Sequence, residues 1–359
     1  MPATPAASDG DDAVPRLRRP AALVGFWDDG RFALENPLTG KRTTVSPAVA
    51  QLLEELGSFR PRGEVERLLE PVGAPGLAGR LLERDLLVRE GTELDRKDRL
   101  LAESWAWGPE ARFFHYATQH VPFEHDPTAQ EQALAETAAQ EPPPPATKRY
   151  GPGVPLPRPE REEETELWAT LRARRTRRRF AEASVALADL ARILRWTWGA
   201  TRIVEDPRLG RYLLKTSPSG GARHPIEVYP LLIRVEDVEP GFYHYAATED
   251  ELEPLRLGAF SDLAGELCHG QPWARDAAVL FFMTAVVERS MWKYRYGHAY
   301  RVLLIDAGHL GQTFHLVCTR LGLAPFTTAA TDDRATEREL GLDGVREIAL
   351  YVAGAGVPA

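Results

Sequence analysis

The stretch S-P-S-G-G-A-R-H-P-I-E-V-Y at residues 217–229 passes from a glycine-rich loop directly into an apolar run. The glycines Gly220 and Gly221 would let backbone amides come close to a flat or anionic ligand. The apolar run that begins at Ile226 is typical of a buried strand. On its own the loop fits an ordinary connection better than a binding site, so its interpretation depends on the segments around it.

The segments on both sides of this turn alternate between helical and extended patterns. Apolar residues at helical spacing predict helices, and short apolar runs predict strands. Helices are expected at 167–175, 187–199 and 299–321, and strands at 226–235, 241–245, 277–286 and 348–352. Together they predict a compact domain of the α+β class over residues 164–359.

An arginine cluster, R-R-T-R-R-R-F at residues 174–180, precedes the first predicted strand of this domain. Guanidinium groups bind phosphate bidentately and stay charged at any ordinary pH. In an extended segment Arg174, Thr176 and Arg178 would point the same way. A phosphate site is therefore one interpretation, and a solvated basic face is at least as good on composition alone.

Two further polar segments lie in or before the long predicted helix. One is W-K-Y-R-Y-G-H-A-Y-R at residues 292–301, and the other is D-A-G-H-L-G-Q at residues 306–312. A polar Asp306/His309 pair on a buried helix needs hydrogen-bond partners. Such a pair is more often a satisfied core pair than a catalytic one.

The N-terminal part of the chain predicts a separate small module. Residues 1–21 are rich in Ala, Pro and Asp and predict a disordered leader. A hairpin is expected around residues 36–40, and Ser46-Pro47 is typical of a helix start. Two more helices and a short apolar run follow, which together favour a winged-helix-like module over residues 22–92.

Residues 93–163 are interpreted as a connecting segment. Its later part, about 130–165, contains a proline run and predicts a linker or extended arm. The aromatic residues before it are too apolar for a free linker, so they are expected to pack on a domain.

Composition excludes several classes of protein. The chain has 359 residues and a net charge of −8, which argues against general nucleic-acid binding. It has no run of 18 apolar residues and no secretory signal pattern, so no membrane association is expected. Only two cysteines occur, too few for a disulfide framework or a cysteine zinc site, and a cytoplasmic, reducing location is expected.

Several catalytic motifs are missing from the sequence. It has no H-E-x-x-H, C-x-x-C, Walker loop or G-x-S-x-G, and no metal is expected. Gly354-Ala355-Gly356 lies at the end of the chain with no helix after it, so it cannot form a Rossmann turn. A Ser/His/Asp triad stays open, since it is not recognisable from spacing.

Taken in order, these segments resemble the SagB-type dehydrogenases of the FMN-dependent nitroreductase superfamily. The resemblance rests on R-R-T-R-R-R-F, P-S-G-G-A-R-H-P-I-E-V-Y, G-F-Y-H-Y, the Lys-Tyr loop, Y-R-V-L-L-I-D-A-G-H-L-G-Q and R-L-G-L-A-P-F, and it covers about residues 165–356. The first module resembles the leader-peptide recognition modules that often precede such domains.

The resemblance implies bound FMN in a homodimer whose flavin sites lie between subunits. It implies that Arg174, Thr176 and Arg178 hold the phosphate and that Ser217, Ser219, Gly220 and Arg223 lie against the flavin. The segment 326–329, with Thr327 and Thr328, would lie near the flavin edge. The helix that contains D-A-G-H-L-G-Q would be the central dimer helix.

The resemblance also implies the reaction, which is oxidation of thiazolines and oxazolines to azoles in a ribosomally made peptide. Lys293 and Tyr294 match the catalytic Lys-Tyr pair, with a base placed to remove a proton. The loop after them differs from the usual pattern, since Gly297-His298 lengthen it, and this makes Tyr296 and His298 alternatives. The implied partners are a peptide with a leader and a cyclodehydratase.

Two other functions remain open from the sequence. One is a flavin dehydrogenase that acts on a different small or carrier-bound molecule. The other is a flavin-binding scaffold that presents a leader peptide to a cyclodehydratase.

Overall fold

The computed structural model describes residues 15–72, 76–120, 126–140, 165–206 and 210–359. The chain forms two compact units. The first consists of residues 1–120 and 295–298, and the second of residues 121–294 and 299–359.

In the described part of the first unit, two small antiparallel sheets are combined with α-helices. Its strands are β1 (Arg16–Arg18), β2 (Val24–Asp28), β3 (Arg31–Asn36), β4 (Lys41–Thr44), β5 (Arg60–Pro61) and β6 (Val88–Arg89). Its helices are α1 (Pro47–Glu54), α2 (Arg62–Leu69), α3 (Leu77–Glu83), α4 (Glu93–Ser104) and α5 (Gly108–Ala117). The sheet orders are β2-β3-β4 and β5-β1-β6.

Local sequence signals explain the start of this unit. The side chain of Asn36 accepts a hydrogen bond from Leu38 N at 3.1 Å and closes the turn between β3 and β4. Ser46 caps α1 by accepting a hydrogen bond from Val49 N at 3.4 Å, with Pro47 at the first helical position. The predicted hairpin and the predicted start of α1 are confirmed. The winged-helix identity stays a prediction.

Order begins earlier than the sequence predicted. Arg16–Arg18 forms β1, the central strand of its sheet, and Leu17 is fully buried. The disordered leader over residues 1–21 is therefore wrong for this strand, because a run with one apolar residue gives almost no periodic signal. Residues 1–14 lie outside the described residues.

The segment expected to connect two domains is partly built into the first unit. Helices α4 and α5 lie in it, and Trp105, Trp107 and Tyr116 are buried there. This confirms the expected packing for these three residues, whereas Phe114 is exposed, and it moves the unit's end to His120. Residues Pro127–Gln140, expected in part as an extended arm, form helix α6 in the second unit, and the proline run lies outside the described residues.

The second unit contains a large antiparallel sheet with helices packed on it. Its further helices are α7 (Glu166–Ala173), α8 (Leu187–Thr197), α9 (Ser261–Leu267), α10 (Pro272–Asp276), α11 (Val287–Met291), α12 (Tyr300–Arg320) and α13 (Asp333–Leu340). Its strands are β7 (Ala200–Asp206), β8 (Gly210–Lys215), β9 (Ile226–Leu232), β10 (Gly241–Ala246), β11 (Glu251–Leu257), β12 (Val279–Val286), β13 (Ala324–Thr328) and β14 (Glu347–Gly356).

The sheet order is β11-β10-β9-β12-β14-β13, and β7 and β8 form a separate hairpin. Strands β9 and β12 are buried on both faces, which explains why their sequences are continuous apolar runs. Helix α12 packs on α8, β13 and β14. The four predicted strands and three predicted helices are confirmed, and so is the α+β class of this domain.

Several further features of the described residues bear on the motifs and composition of the sequence. Cys268 and Cys318 are free and buried. Gly354 and Gly356 lie within β14, where each faces a phenylalanine ring and neither forms a phosphate loop. Across the described ranges, no helix combines the length and the apolar character that a membrane crossing needs. In the same ranges no group of three or more His, Cys, Asp or Glu residues could hold a metal ion.

Candidate active site

The glycine-rich turn is held in place by α12. The Ser219 hydroxyl donates to Asp306 Oδ2 at 2.5 Å and accepts from His224 N at 2.9 Å. The backbone N–H of Gly220 donates to Asp306 Oδ1 at 3.3 Å. Burial raises the pKa of Asp306, and the hydrogen bonds from Ser219 and Gly220 oppose that rise. Asp306 therefore fixes the turn, as the sequence interpretation of a satisfied polar pair on this helix implies.

Two more residues of α12 support the same turn. The Ser217 and Thr313 hydroxyls are hydrogen-bonded at 2.6 Å, and His309 Nδ1 donates to the Pro218 carbonyl at 3.3 Å. Successive turns of one helix thus hold successive residues of the loop, and the loop is positioned by a rigid element.

Lys293 and Tyr294 lie directly against the glycine-rich turn. They follow α11, and both backbone N–H groups donate to the Ser290 carbonyl, at 3.2 and 2.9 Å. A Cβ atom built on Gly221 would lie 2.9 Å from Lys293 Nζ and closer still to the Tyr294 hydroxyl. Gly221 also has φ +65°, a conformation that favours glycine. The structure thus brings the two predicted catalytic residues to the predicted flavin-binding turn.

The predicted phosphate-binding residues lie in a different part of the same unit. Arg174 is the C-cap of α7 and is half-buried, whereas Thr176 and Arg178 are exposed. The Arg178 guanidinium stacks over the Trp273 ring at 4.9 Å. Arg177 N donates to the Pro325 carbonyl at 2.8 Å, which lays this segment along the start of β13.

The end of β13 approaches α12 through a buried histidine. Thr327 Oγ1 lies 3.4 Å from His315 Nε2, and Thr328 Oγ1 accepts from Ala330 N at 3.1 Å. Burial and the nearby charge of Arg174 lower the pKa of His315 to about 4. In the described chain His315 Nδ1 is buried without a hydrogen-bond partner. The sequence analysis did not single out His315, a polar residue in an apolar helix.

The predicted cofactor residues therefore form two groups. One group is the turn with Lys293 and Tyr294, and the other is the arginine segment with Thr327 and Thr328. Helix α12 contributes to both, through Asp306 and Thr313 to the first and through His315 to the second. Among the described residues, no hydrogen bond joins the two groups directly.

A cavity of about 770 Å³ opens beside the turn. Its wall includes Ala222, Arg223 and His224 from the turn and Trp292 from the loop before Lys293. Arg223 Nε donates to the Gly221 carbonyl at 3.2 Å, and its guanidinium stacks over Trp292 at 5.4 Å.

Ionised groups line the far side of this cavity. His244 contacts Glu253 at 2.7 Å and Glu227 at 3.3 Å, and Arg289 forms an ion pair with Glu227. The hydrogen bond to Glu227 raises the pKa of His244 to about 9. Burial acts to raise the pKa of Glu227. The hydrogen bond with His244 and the charges of Arg289 and Lys215 outweigh burial and lower this pKa.

Two basic groups of the wall have depressed pKa values. Burial lowers the pKa of Lys215 to about 8, with Arg289 acting in the same direction and Glu227 against it. Burial and the charges of Lys215, Arg223 and Arg289 lower the pKa of His224 to about 4. No motif in the sequence predicts this cluster. Its one local signal is Glu227, a charged residue inside an apolar strand.

Tyr296 and His298 are the alternative catalytic residues that the longer loop suggested. Residues 295–298, which include Tyr296 and His298, belong to the first unit, whereas Lys293 and Tyr294 belong to the second. Tyr296 and His298 are both exposed.

Comparison with known proteins identifies the family of this domain. Residues 171–356 match the Nitroreductase family, which is more than half of the chain. The chain belongs to the nitroreductase family.

Curated relatives in the family include two processing proteins. The chain is 32% identical over 170 residues to the trifolitoxin-processing protein TfxB of Rhizobium leguminosarum bv. trifolii, covering 46% of each chain. It is 30% identical over 131 residues to the microcin B17-processing protein McbC of Escherichia coli, covering 35% of this chain and 48% of McbC. The chain thus spans about half the length of these relatives.

A solved structure of the E. coli microcin synthetase McbBCD complex with truncated pro-MccB17 bound is also similar. The identity is 21% and the TM-score 0.46, over 74% of this chain and 93% of that chain.

The residues present fit an FMN group of the kind that the family resemblance implies. Gly221 leaves no room for a side chain beside Lys293 and Tyr294, so only bare backbone lies at that part of the turn. The arginine segment offers exposed guanidinium groups at Arg175, Arg177, Arg178 and Arg179. His315 feels the charge of Arg174 and lies with its Nε2 3.4 Å from Thr327 Oγ1, and its buried Nδ1 has no hydrogen-bond partner among the described residues. These features suit an anionic, flat ligand.

Proposed function

We propose that this protein is an FMN-dependent oxidoreductase that dehydrogenates thiazolines or oxazolines to azoles in a ribosomally made peptide. One observation carries the proposal, the contact of Lys293 and Tyr294 with Gly221 of the glycine-rich turn. A base next to a flavin-binding turn is the arrangement that removal of a proton and a hydride from adjacent atoms requires.

The residues divide the chemistry among them. Bound FMN would supply the two-electron acceptor. Lys293 is exposed and can take a proton from the substrate carbon. Tyr294 is half-buried against Gly221 and orients the lysine, since the centroid of the Tyr294 ring lies 5.4 Å from Lys293 Nζ. Asp306 holds the turn, so it is a positioning residue for the same step.

The cofactor contacts are proposed at both groups of residues. Arg174, Thr176 and Arg178 would hold the phosphate, since charge-assisted hydrogen bonds from guanidinium groups are strong. Ser217, Ser219, Gly220 and Arg223 would lie along the flavin, and Thr327 and Thr328 near its edge. Each charge-assisted contact is worth about 1.5–3 kcal/mol.

A homodimer and two peptide-handling roles complete the proposal. The names of TfxB and McbC, both processing proteins, support a modified-peptide substrate. Residues 22–92 of the first unit would bind the leader, since short exposed strands beside helices can accept a peptide as an added strand. A cyclodehydratase would supply the azoline.

The test uses the full-length protein with a cyclised azoline peptide. The purified protein is expected to show a flavin absorption band and to remove two hydrogen atoms per heterocycle, read by mass spectrometry. A flavin-loaded protein that leaves every azoline peptide unchanged would favour a dehydrogenase for another substrate. A protein that stays colourless after FMN is added would overturn the cofactor assignment.

A further inference from the structure

One lysine in the wall of the 770 Å³ cavity carries a charge that no described residue pairs. Lys215 ends β8 and lines the cavity. In the part of the chain that the structure describes, its ammonium group makes no hydrogen bond and no ion pair. A half-buried charge without a partner is unfavourable unless a ligand completes the site.

The acidic groups near Lys215 already have partners. Glu227 is paired with Arg289 and His244, and Glu253 with His244. None of them reaches Lys215 within ion-pair distance. Arg223, on the turn side of the cavity, adds a second positive charge, and its Nη2 has no acceptor among the described residues. Lys215 and Arg223 are therefore two positive charges of the wall that form no ion pair with a described residue.

We infer that this cavity binds a carboxylate group of the substrate peptide through Lys215, with Arg223 adding to the positive potential. The inference rests on the proposed function and specifies its substrate, a peptide with a carboxylate near the heterocycle. Arg223 connects the cavity to the reacting groups, because it hydrogen-bonds Gly221, which lies against Lys293 and Tyr294.

A carboxylate fits the wall better than a phosphate. Glu249 and Glu288 also line the cavity, with Glu227 and Glu253. Four carboxylates would repel a dianion more strongly than a monoanion, whereas one ammonium group suffices to bind a monoanion.

The experiment compares matched peptides on the flavin-loaded, full-length protein. The probes are short, leader-free azoline peptides that carry Glu or Gln beside the heterocycle, and a second pair that ends in a free carboxylate or an amide. Affinity is measured by isothermal titration calorimetry, and oxidation by mass spectrometry. The two pairs distinguish an acidic side chain from a C-terminus as the source of the carboxylate.

In the wild-type protein the carboxylate probe of at least one pair is expected to bind about 10- to 100-fold more tightly than its neutral twin, as one charge-assisted contact predicts. Lys215→Met should abolish this preference, and Lys215→Arg should retain most of it. Lys41→Met, the same change at an exposed lysine of the first unit, should leave it intact.

The outcomes separate the two proposals. A carboxylate preference that depends on Lys215, without any oxidation, would retain the site and remove the azoline oxidase. Oxidation with equal affinity for acid and neutral probes, or an unchanged preference in Lys215→Met, would overturn the carboxylate site. Inorganic phosphate that displaces the carboxylate probe at lower concentration than acetate would overturn the choice of a monoanion.

Discussion

At the residue scale, the proposed active site lies where Gly221 of the glycine-rich turn approaches the side chains of Lys293 and Tyr294. Gly221 combines a positive φ with the close approach of Lys293 and Tyr294. Any side chain at this position would displace one of the two from the turn. The geometry thus explains why a glycine stands at position 221, whereas the sequence indicated only that the loop contains glycines.

We expect Lys293→Ala and Tyr294→Phe each to retain the fold and the flavin but to lose most peptide oxidation. Loss of a general base costs on the order of 10²–10⁴-fold in rate. Turnover is measured by mass spectrometry on an azoline peptide, with the flavin absorbance of each variant as the control. Near wild-type turnover in both variants would remove their catalytic assignment.

The ionised cluster beside the turn predicts a pH dependence of stability. His244 has a pKa of about 9, above the value near 6.5 of an unfolded histidine. Its ion pairs therefore stabilise the fold fully below about pH 6.5, and this contribution is lost as the pH rises through 9. Lys215, whose pKa is lowered, acts in the opposite direction above about pH 8.

A comparison of variants isolates the histidine. Between pH 6.5 and 9 the thermal midpoint of the wild-type protein should fall more than that of His244→Gln, because only the wild-type protein releases a proton from this site when it unfolds. Differential scanning calorimetry measures both midpoints. Parallel curves over this range would show that the contacts of His244 with Glu227 and Glu253 add nothing to stability.

At the element scale, the sequence predicts what is regular and apolar. Strands β9 and β12 are long apolar runs, and α12 has clear helical spacing, so all three were predictable. Strand β1 was not, because its single apolar residue, Leu17, is buried by pairing with β5 and β6, which lie more than 40 residues away.

The residues of the candidate site also divide into those that a local motif predicts and those that only the fold brings together. The turn and the Lys-Tyr pair were found because each is a local motif. Lys215, Glu227, His244 and Arg289 come from four separate segments, and only the fold brings them to one cavity. Asp306 was visible as a polar residue in an apolar helix, but its hydrogen bond with Ser219 was not predictable from the sequence.

The buried charges of the first unit lead to a prediction about how β1 is attached. Arg18 donates to Asp95 at 2.8 Å and to Asp98 at 2.7 Å, with both carboxylates fully buried on α4. Asp98 also accepts from the backbone N–H groups of Ala21 and Ala22. Removing one partner of a buried pair costs about 3–5 kcal/mol.

Asp98→Ala should therefore speed hydrogen–deuterium exchange in β1 and α4 and leave the second unit unchanged. Glu90→Ala, which removes the exposed pair with Arg16, is the matched control and should change exchange little. Equal protection in the two variants would show that the buried ion pair does not attach β1 to α4.

At the scale of the whole molecule, the proposed dimer depends on one face of α12. Leu304 and Ile305 are large apolar residues with 42% and 54% exposure, and the position of a Cβ on Gly308 is open space. The opposite face of the same helix holds the turn through Asp306. A second copy on the exposed face would thus press on the helix that positions the proposed flavin-binding residues.

We expect Ile305→Glu to convert a dimer into monomers and to release flavin in the same step, because a charge at the centre of an apolar interface is left unpaired. Analytical ultracentrifugation at the flavin and protein absorbance wavelengths reports both quantities. Leu255→Glu, at an equally exposed leucine on the edge strand β11, is the control and should leave both unchanged. A flavin-loaded monomer of Ile305→Glu would separate cofactor binding from association and place the flavin within one subunit.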